Sequence, residues 1–516
     1  MSASEYPYPT QGVVAERSGE PRLSRSHLGE MFWVVAAQGG TPLAAILSLK
    51  LLTRLLAPSE YGVVAVVMTY VFAVCLVALV PMSGPGATLF HEWAKQNRSR
   101  EFAGSLLSLY VIAAGLIVLL HGAARAVQGS GHSSLGNAVI VFGGLVLSAE
   151  ILKGAAISLA NVARLRKRYA LLSALDGWGK LLFALLIVFL AGGRSQSVLL
   201  GYALSSAVVA FVGWRTFFHT ENSGVLSPPM PFMSRDLLSS LLKSSGVYCG
   251  IGLANWAIAV SDRALLGAMV PARDVGIYTA NYQVAALLPM ALYSTAGVFI
   301  FPVIYQRYAW APAEAVALLG RSLGYLIWLM VPLVLIALLG TETLQSLFLG
   351  PGYEAGAGVL AWVAPALAFN TLTSVTVMPF WLKNRGLSYL LIVAGSASCN
   401  VLLNLLLIPR LGFQAAAITT FGTYLLLFVA TILFGRRLLH WQLSPLCLWA
   451  TGVGVALMGA AYLVTGLQSS LVHLGSFLFV YFVSSTAFLW LTDETSRDMF
   501  HAVVAAVSGL RPSAPC

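Results

Sequence analysis

The stretch SLKLLTRLLAPSEYG, Ser48 to Gly62, decides how the chain is read. Lys50 and Arg54 stand one helical turn apart, late in the first long apolar run, just before a proline turn. A charge at membrane depth is costly, so such residues usually face a bundle interior or a wet cavity. The turn has a mechanical reading: Pro58 stops a helix, Glu60 sits where the next helix dipole favours an acid, and Gly62 permits a tight entry.

The rest of the chain supplies the bilayer that this reading needs. Of 516 residues, 58% are hydrophobic and 9% charged, far from the soluble balance of roughly half apolar and about a quarter charged. Fourteen runs approach the roughly 20 apolar residues that a spanning helix requires: 31–54, 62–83, 104–124, 137–160, 170–191, 197–218, 244–270, 276–303, 319–340, 358–380, 389–408, 414–434, 445–466 and 473–492. They are apolar all round instead of alternating over ten-residue pieces, which excludes an outer-membrane barrel. The five cysteines show no CxxC or metal-type spacing, and no cofactor is expected. The net charge of +11 is scattered between apolar runs, which argues for membrane topology and against a nucleic-acid partner. Residues 1–30 lack the layout of a cleaved signal peptide and read as a cytoplasmic tail.

Basic residues test the span count, because cytoplasmic loops carry the Lys/Arg excess. With the N-terminus inside, twenty of the thirty Lys and Arg fall in cytoplasmic segments and four, Arg125, Arg194, Arg273 and Arg410, in outer loops. Both termini are then cytoplasmic. The outer loops are short and the longest inner one is about 219–243, so no extramembrane catalytic domain fits and the chain is not read as an enzyme. No GxxxxGK[ST] motif is present for ATP hydrolysis.

The opening turn recurs. In DRALLGAMVPARDVG, Asp262 to Gly276, Arg263 precedes Pro271 by eight residues, as Lys50 precedes Pro58, and an acid-x-Gly again opens the next span. The copies lie six spans apart, so both cross in the same direction and the halves are related by an axis along the membrane normal. A weaker echo, IPRLG, follows at Ile408 to Gly412.

These segments, RLLAPSEYG, DRALLG with DVGIYTANYQ, LFLGPGYE, and NVLLNLLLIPRLGFQAAAITT, resemble oligosaccharide-lipid flippases. Those are the Wzx-type members of the multidrug/oligosaccharidyl-lipid/polysaccharide exporter superfamily, whose relatives include lipid II flippases and drug/cation antiporters. The resemblance implies an all-α polytopic membrane protein of about fourteen transmembrane helices. Two pseudo-symmetric six-helix bundles, an N-lobe (31–218) and a C-lobe (244–434), would surround a V-shaped central cavity. An inter-lobe loop (219–243), two C-terminal helices (445–492) and a cytoplasmic tail (493–516) complete the expected organisation. The implied substrate is a polyprenyl-diphosphate-linked oligosaccharide, moved from the cytoplasmic to the periplasmic leaflet of a bacterial inner membrane by alternating access. Membrane lipids, a glycan polymerase and a chain-length regulator are the expected partners.

A diphosphate crossing low dielectric needs fixed cations in place of water. Lys50 and Arg263, mates by the proline offset, are the first candidates, against an interbundle ion pair or snorkelling. Asp262 is expected to point about 100° away from Arg263 around the helix and so not to neutralise it. Arg54 is a weaker candidate that can snorkel. Glu150 with Lys153, and Asp176 with Lys180, read as two favourable in-helix ion pairs: structural or gating, or else cavity contact or an ion relay. Gly39, Gly40 and Pro42 allow a bend that would swing Lys50. Asn400 and Asn404 read as interhelix hydrogen bonders or partners of sugar hydroxyls. His121 reads as a satisfied or interfacial histidine. A lipid II flippase or ion-coupled drug exporter is the alternative within the superfamily; a membrane glycosyltransferase or polymerase would need acidic or Arg/His-rich loops that the short connections lack.

Overall fold

The computed structural model describes residues 25–83, 85–128, 136, 138–163, 165–218, 234–465 and 471–492, all of it helix and connecting turn with no strand among the described residues. The helices are α1 (Arg25–Leu55), α2 (Pro58–Ser83), α3 (Pro85–Lys95), α4 (Ser99–Gln128), α5 (Gly144–Val162, entered through a π turn at Val139–Gly143), α6 (Arg166–Ala191), α7 (Ser195–Phe218), α8 (Arg235–Met269), α9 (Ala272–Trp310), α10 (Pro312–Leu339), α11 (Thr341–Phe348), α12 (Ala357–Thr376), α13 (Met378–Leu382), α14 (Gly386–Leu411), α15 (Phe413–Leu438), α16 (Pro445–Thr465) and α17 (Leu471–Thr492).

Among the described residues, eleven segments are long and apolar enough to cross a membrane. Helices α1, α8 and α9 lie where spans 1, 7 and 8 were read; Lys50 and Arg54 are on α1, and Asp262 and Arg263 on α8. The 39 residues of α9 reach about 58 Å at 1.5 Å per residue, almost twice a core of about 30 Å. Helix α1 begins at Arg25, inside the segment read as tail, and α8 at Arg235, inside the segment read as inter-lobe loop. Residues 1–24, 219–233 and 493–516 of the expected tails and loop lie outside the described residues.

Punctuation follows the residues expected to supply it. Pro58 opens α2, and the Glu60 carboxylate in its first turn accepts the Ser195 N–H at 2.6 Å, tying that turn to the start of α7. Gly412 separates α14 from α15 at φ +61°, a left-handed backbone that glycine adopts without penalty. Buried amides pair across the same two helices: Asn400 Nδ2 donates to Thr423 Oγ1 (3.0 Å), Asn404 Nδ2 to Asn400 Oδ1 (3.1 Å), and Thr419 Oγ1 to Asn404 Oδ1 (2.7 Å). Both asparagines are fully buried, so this ladder is interhelical glue and not a surface for sugar. His121 is likewise satisfied, by the Tyr70 hydroxyl at 3.0 Å and the Ile117 carbonyl at 2.7 Å.

Helices up to α7 pack mostly with each other, as do α8 to α15, while the α16–α17 pair joins the rest through α10. The two halves meet chiefly where α2 crosses α8 and α9. There the two proline turns lie face to face. A Cβ on Gly62 would fall 1.8 Å from the Ala272 carbonyl oxygen and 2.9 Å from the Gly276 amide; one on Gly276 would fall 1.8 Å from the Pro58 oxygen and 3.0 Å from the Gly62 amide. The reciprocity is what an approximate two-fold between the repeats produces, and close backbone approach over small residues is how helices pack where lipid gives no hydrophobic drive.

Overfilling a tight contact costs about 1–3 kcal/mol. Gly62→Ala and Gly276→Ala should each lower the melting temperature of the detergent-purified protein by a few degrees, whereas Gly395→Ala, whose Cβ meets nothing within 4 Å, should leave it unchanged. Equal melting of all three would show that the contact does not constrain the seam.

Candidate functional site

In the first half, helical spacing brings four charges to one place. Glu150 and Lys153 stand one turn apart on α5, Asp176 and Lys180 one turn apart on α6. The two in-helix pairs read from sequence are one interhelical network. Lys153 Nζ lies 2.6 Å from Glu150 Oε2 and 2.9 Å from Asp176 Oδ1; Lys180 Nζ lies 2.8 Å from Glu150 Oε1 and 3.6 Å from Asp176 Oδ1. Ser206 of α7 donates to Glu150 Oε1 at 2.7 Å, a member that the sequence reading missed. Two acids and two bases cancel, so both lysines are satisfied within the network. Lys153 is buried, while Lys180 and Asp176 leave 24% and 23% of their side chains accessible and form its open edge.

In the second half, Asp262 and Arg263 correct an expectation. They were read as pointing apart, yet Asp262 Oδ1 accepts the Arg263 backbone N–H at 2.7 Å and lies 3.1 Å from its Nη1. The angle between Cα–Cβ directions is that of neighbours on any helix; the four-bond arginine stem reaches around it. Tyr278 donates its hydroxyl to the second Asp262 oxygen, and the guanidinium lies over the Tyr282 ring at 4.1 Å, a cation–π contact. Arg263 is thus held on both sides within its own half.

Lys50 and Arg54 share a face of α1 and, among the described side chains, neither pairs with an acid. Thr41 of α1 packs against Gly177 of α6, and Thr53 Oγ1 accepts the Gly350 N–H of the second half at 3.0 Å. At 100° per residue Lys50 lies about 180° from Thr41 and about 60° from Thr53. It therefore stands away from α6 and on the side of α1 that approaches the second half. The helix runs unbroken through Gly39, Gly40 and Pro42; Gly40 sits beside Trp178, its Cβ position 3.8 Å from Nε1.

Lys50 and Arg54 thus lie near the part of α1 where Thr53 meets the second half, while Lys153, Lys180 and Arg263 are neutralised within their halves. Among the described residues no group of three His, Cys, Asp or Glu side chains could hold a metal ion.

With this geometry in view, the comparisons with known proteins agree on one architecture. The fold matches the lipid II flippase MurJ in its inward closed conformation with a TM-score of 0.70 at 12% identity, covering 91% of this chain and 100% of that one. It matches an outward-facing multidrug resistance MATE family transporter of the MOP superfamily at 0.56 and 15% identity, covering 79% and 96%. A MATE structure in complex with MaD3S matches at 0.53 and 14% identity with the same coverage. No curated protein matches the chain in sequence. The model of the polysaccharide biosynthesis protein family matches residues 28–307, more than half of the chain, and the chain belongs to that family, as a multi-pass membrane protein with the fold of the MOP-superfamily transporters.

Proposed function

We propose that the protein moves a polyprenyl-diphosphate-linked oligosaccharide from the cytoplasmic to the outer leaflet of a bacterial inner membrane, by alternating access between its two halves. The observation that carries the reading is membership of a polysaccharide biosynthesis family on a transporter fold. The chemistry of the seam agrees with it. A diphosphate headgroup entering between the halves meets Lys50 and Arg54 with no carboxylate to displace, and Arg263 only by competing with Asp262. Lys180 and Lys153 would be drawn on last, because Glu150 and Asp176 already neutralise them. The hydrocarbon tail stays in lipid. Fourteen spans, an N-lobe of 31–218 and a C-lobe of 244–434, with both termini cytoplasmic, belong to the same proposal, as do a glycan polymerase and a chain-length regulator as partners. The MurJ-like fold favours lipid II as the second candidate substrate, since it too would present an anionic headgroup to the same cations.

A charge-assisted contact is worth about 1.5–3 kcal/mol, roughly tenfold or more in a binding constant. Lys50→Gln should therefore cut export about tenfold in a polysaccharide assay on cells, while Lys50→Arg largely preserves it. Arg263→Gln alone strands Asp262, so the informative variant is the double Asp262→Asn/Arg263→Gln, which removes both charges. It should fold and yet fail to export. Normal export by Lys50→Gln and by the double variant would overturn the anion site. Pro42→Ala should slow export without lowering folded yield; an unchanged rate removes the hinge from the mechanism. Glycosyltransferase, polymerase and chain-length genes beside this one would favour the oligosaccharide over lipid II.

A further inference from the structure

The motif LFLGPGYE, Leu347 to Glu354, joins α11 to α12 and takes no part in the charge chemistry above. It is nevertheless the segment of the second half that reaches across the seam to the end of α1. Gly350 donates its N–H to Thr53 Oγ1 (3.0 Å), and the fully buried Tyr353 donates its hydroxyl to the Leu56 carbonyl (3.1 Å). The Tyr353 ring meets Tyr61 edge to face, with centroids 6.0 Å apart. Only glycine fits at 350, where a Cβ would fall 2.2 Å from the Thr53 carbonyl oxygen.

The same loop is also tied to its own half, and there by side-chain amides. Asn281 Nδ2 donates to the Tyr353 carbonyl (3.0 Å), and Gln345 Nε2 donates to the Glu354 carbonyl (3.2 Å) and to Asn281 Oδ1 (2.7 Å). Both amide side chains are buried, and the loop is covalently continuous with α11 and α12. Toward the first half it is held by two hydrogen bonds and one ring edge; toward the second it is held by a buried amide network and the chain itself.

We propose that this loop is a latch carried by the second half, which locks the end of α1 while the seam is closed there and lets go of Thr53 and Leu56 when that end opens. The proposal rests on reading the chain as an alternating-access transporter. Because the latch grips α1 three residues beyond Lys50, its release frees the helix that bears the unpaired cations.

The test is a distance measurement by pulsed electron paramagnetic resonance on the full chain in lipid nanodiscs, with Cys75, Cys249, Cys399, Cys447 and Cys516 replaced by alanine. Spin labels go on the exposed positions Ser59 of the first half, Pro351 of the latch and Val472 of α17, which packs on the end of α10 in the second half through Leu474 and Gly340, as the pairs 59–351 and 351–472. Two independent releases are compared with the parent: Gly350→Ala, by steric exclusion, and Thr53→Val/Tyr353→Phe, by removal of the bonds at nearly constant volume. Each should add a second, longer population to the 59–351 pair and leave 351–472 unchanged. An unchanged 59–351 distribution in both, or lengthening of 351–472 instead, overturns the latch. The distances are read without substrate, so they are separate from the function reading. If they shift as expected while deletion of the gene leaves surface polysaccharide intact, the latch stands and the substrate assignment falls.

Discussion

A charge inside a membrane protein must find a counter-charge, a hydrogen-bond network or water, and how this chain meets that requirement organises the rest of it. The ion pairs seen between described side chains lie within one half of the molecule or the other: Arg98 with Glu101, and Glu150, Lys153, Asp176 and Lys180, in the first; Asp262 with Arg263, and Arg307 with Glu314, in the second. Breaking a buried pair strands its partner, at about 3–5 kcal/mol. The network across α5, α6 and α7 therefore resists any motion that would separate those helices. It ties α5, α6 and α7 of the first half to one another.

The seam is built from other materials. Where α2 meets α8 and α9, contact is glycine backbone against backbone, and the hydrogen bonds that cross between the halves are neutral: Tyr61 to Gln283, Gly350 to Thr53, Tyr353 to Leu56 and Ser234 to Ser105. Four such bonds at about 0.5–1.5 kcal/mol net each come to roughly 2–6 kcal/mol. Turning a two-state equilibrium from 1:99 to 99:1 takes about 5.5 kcal/mol. The polar links across the seam, taken by themselves, are therefore of the size a ligand can shift. The described ion pairs thus lie within halves, while the described hydrogen bonds between halves are neutral.

Much of this was legible in the sequence, and the rest was not, for identifiable reasons. The positions of the long helices follow from apolar run length, and the repeat was visible because Pro58 and Pro271 stand at a fixed offset from a cation. What those turns do was hidden: a glycine two residues after an acid reads as a helix entry, and nothing local says that Gly62 will be pressed against Gly276, 214 positions away. The in-helix spacing of Glu150 with Lys153 and Asp176 with Lys180 was readable, but their fusion depends on the crossing of α5 and α6, to which Ser206 gave no signal. For Asp262 and Arg263, projecting Cα–Cβ directions onto a wheel left out the length of the side chain. The latch motif was noticed only as a pattern, because its partners Thr53 and Leu56 lie nearly 300 residues earlier.

The repeat also shows where the two halves cease to be equivalent. By the proline offset Lys50 matches Arg263, but the residue before Lys50 is Leu49, whereas the residue before Arg263 is Asp262. One cation is therefore open and the other is held. On the proposed reading, a diphosphate between the halves is met first by Lys50 and Arg54, and it engages Arg263 only by taking the place of the Asp262 carboxylate, exchanging one anion for another at nearly constant local charge. Such an exchange avoids leaving an uncompensated guanidinium in low dielectric at any stage, and it makes contact with the second half conditional on a ligand that carries at least as much negative charge as the aspartate it displaces. On that same reading a neutral or cationic compound cannot make the exchange, and the asymmetry between Leu49 and Asp262 would favour anionic headgroups over cations.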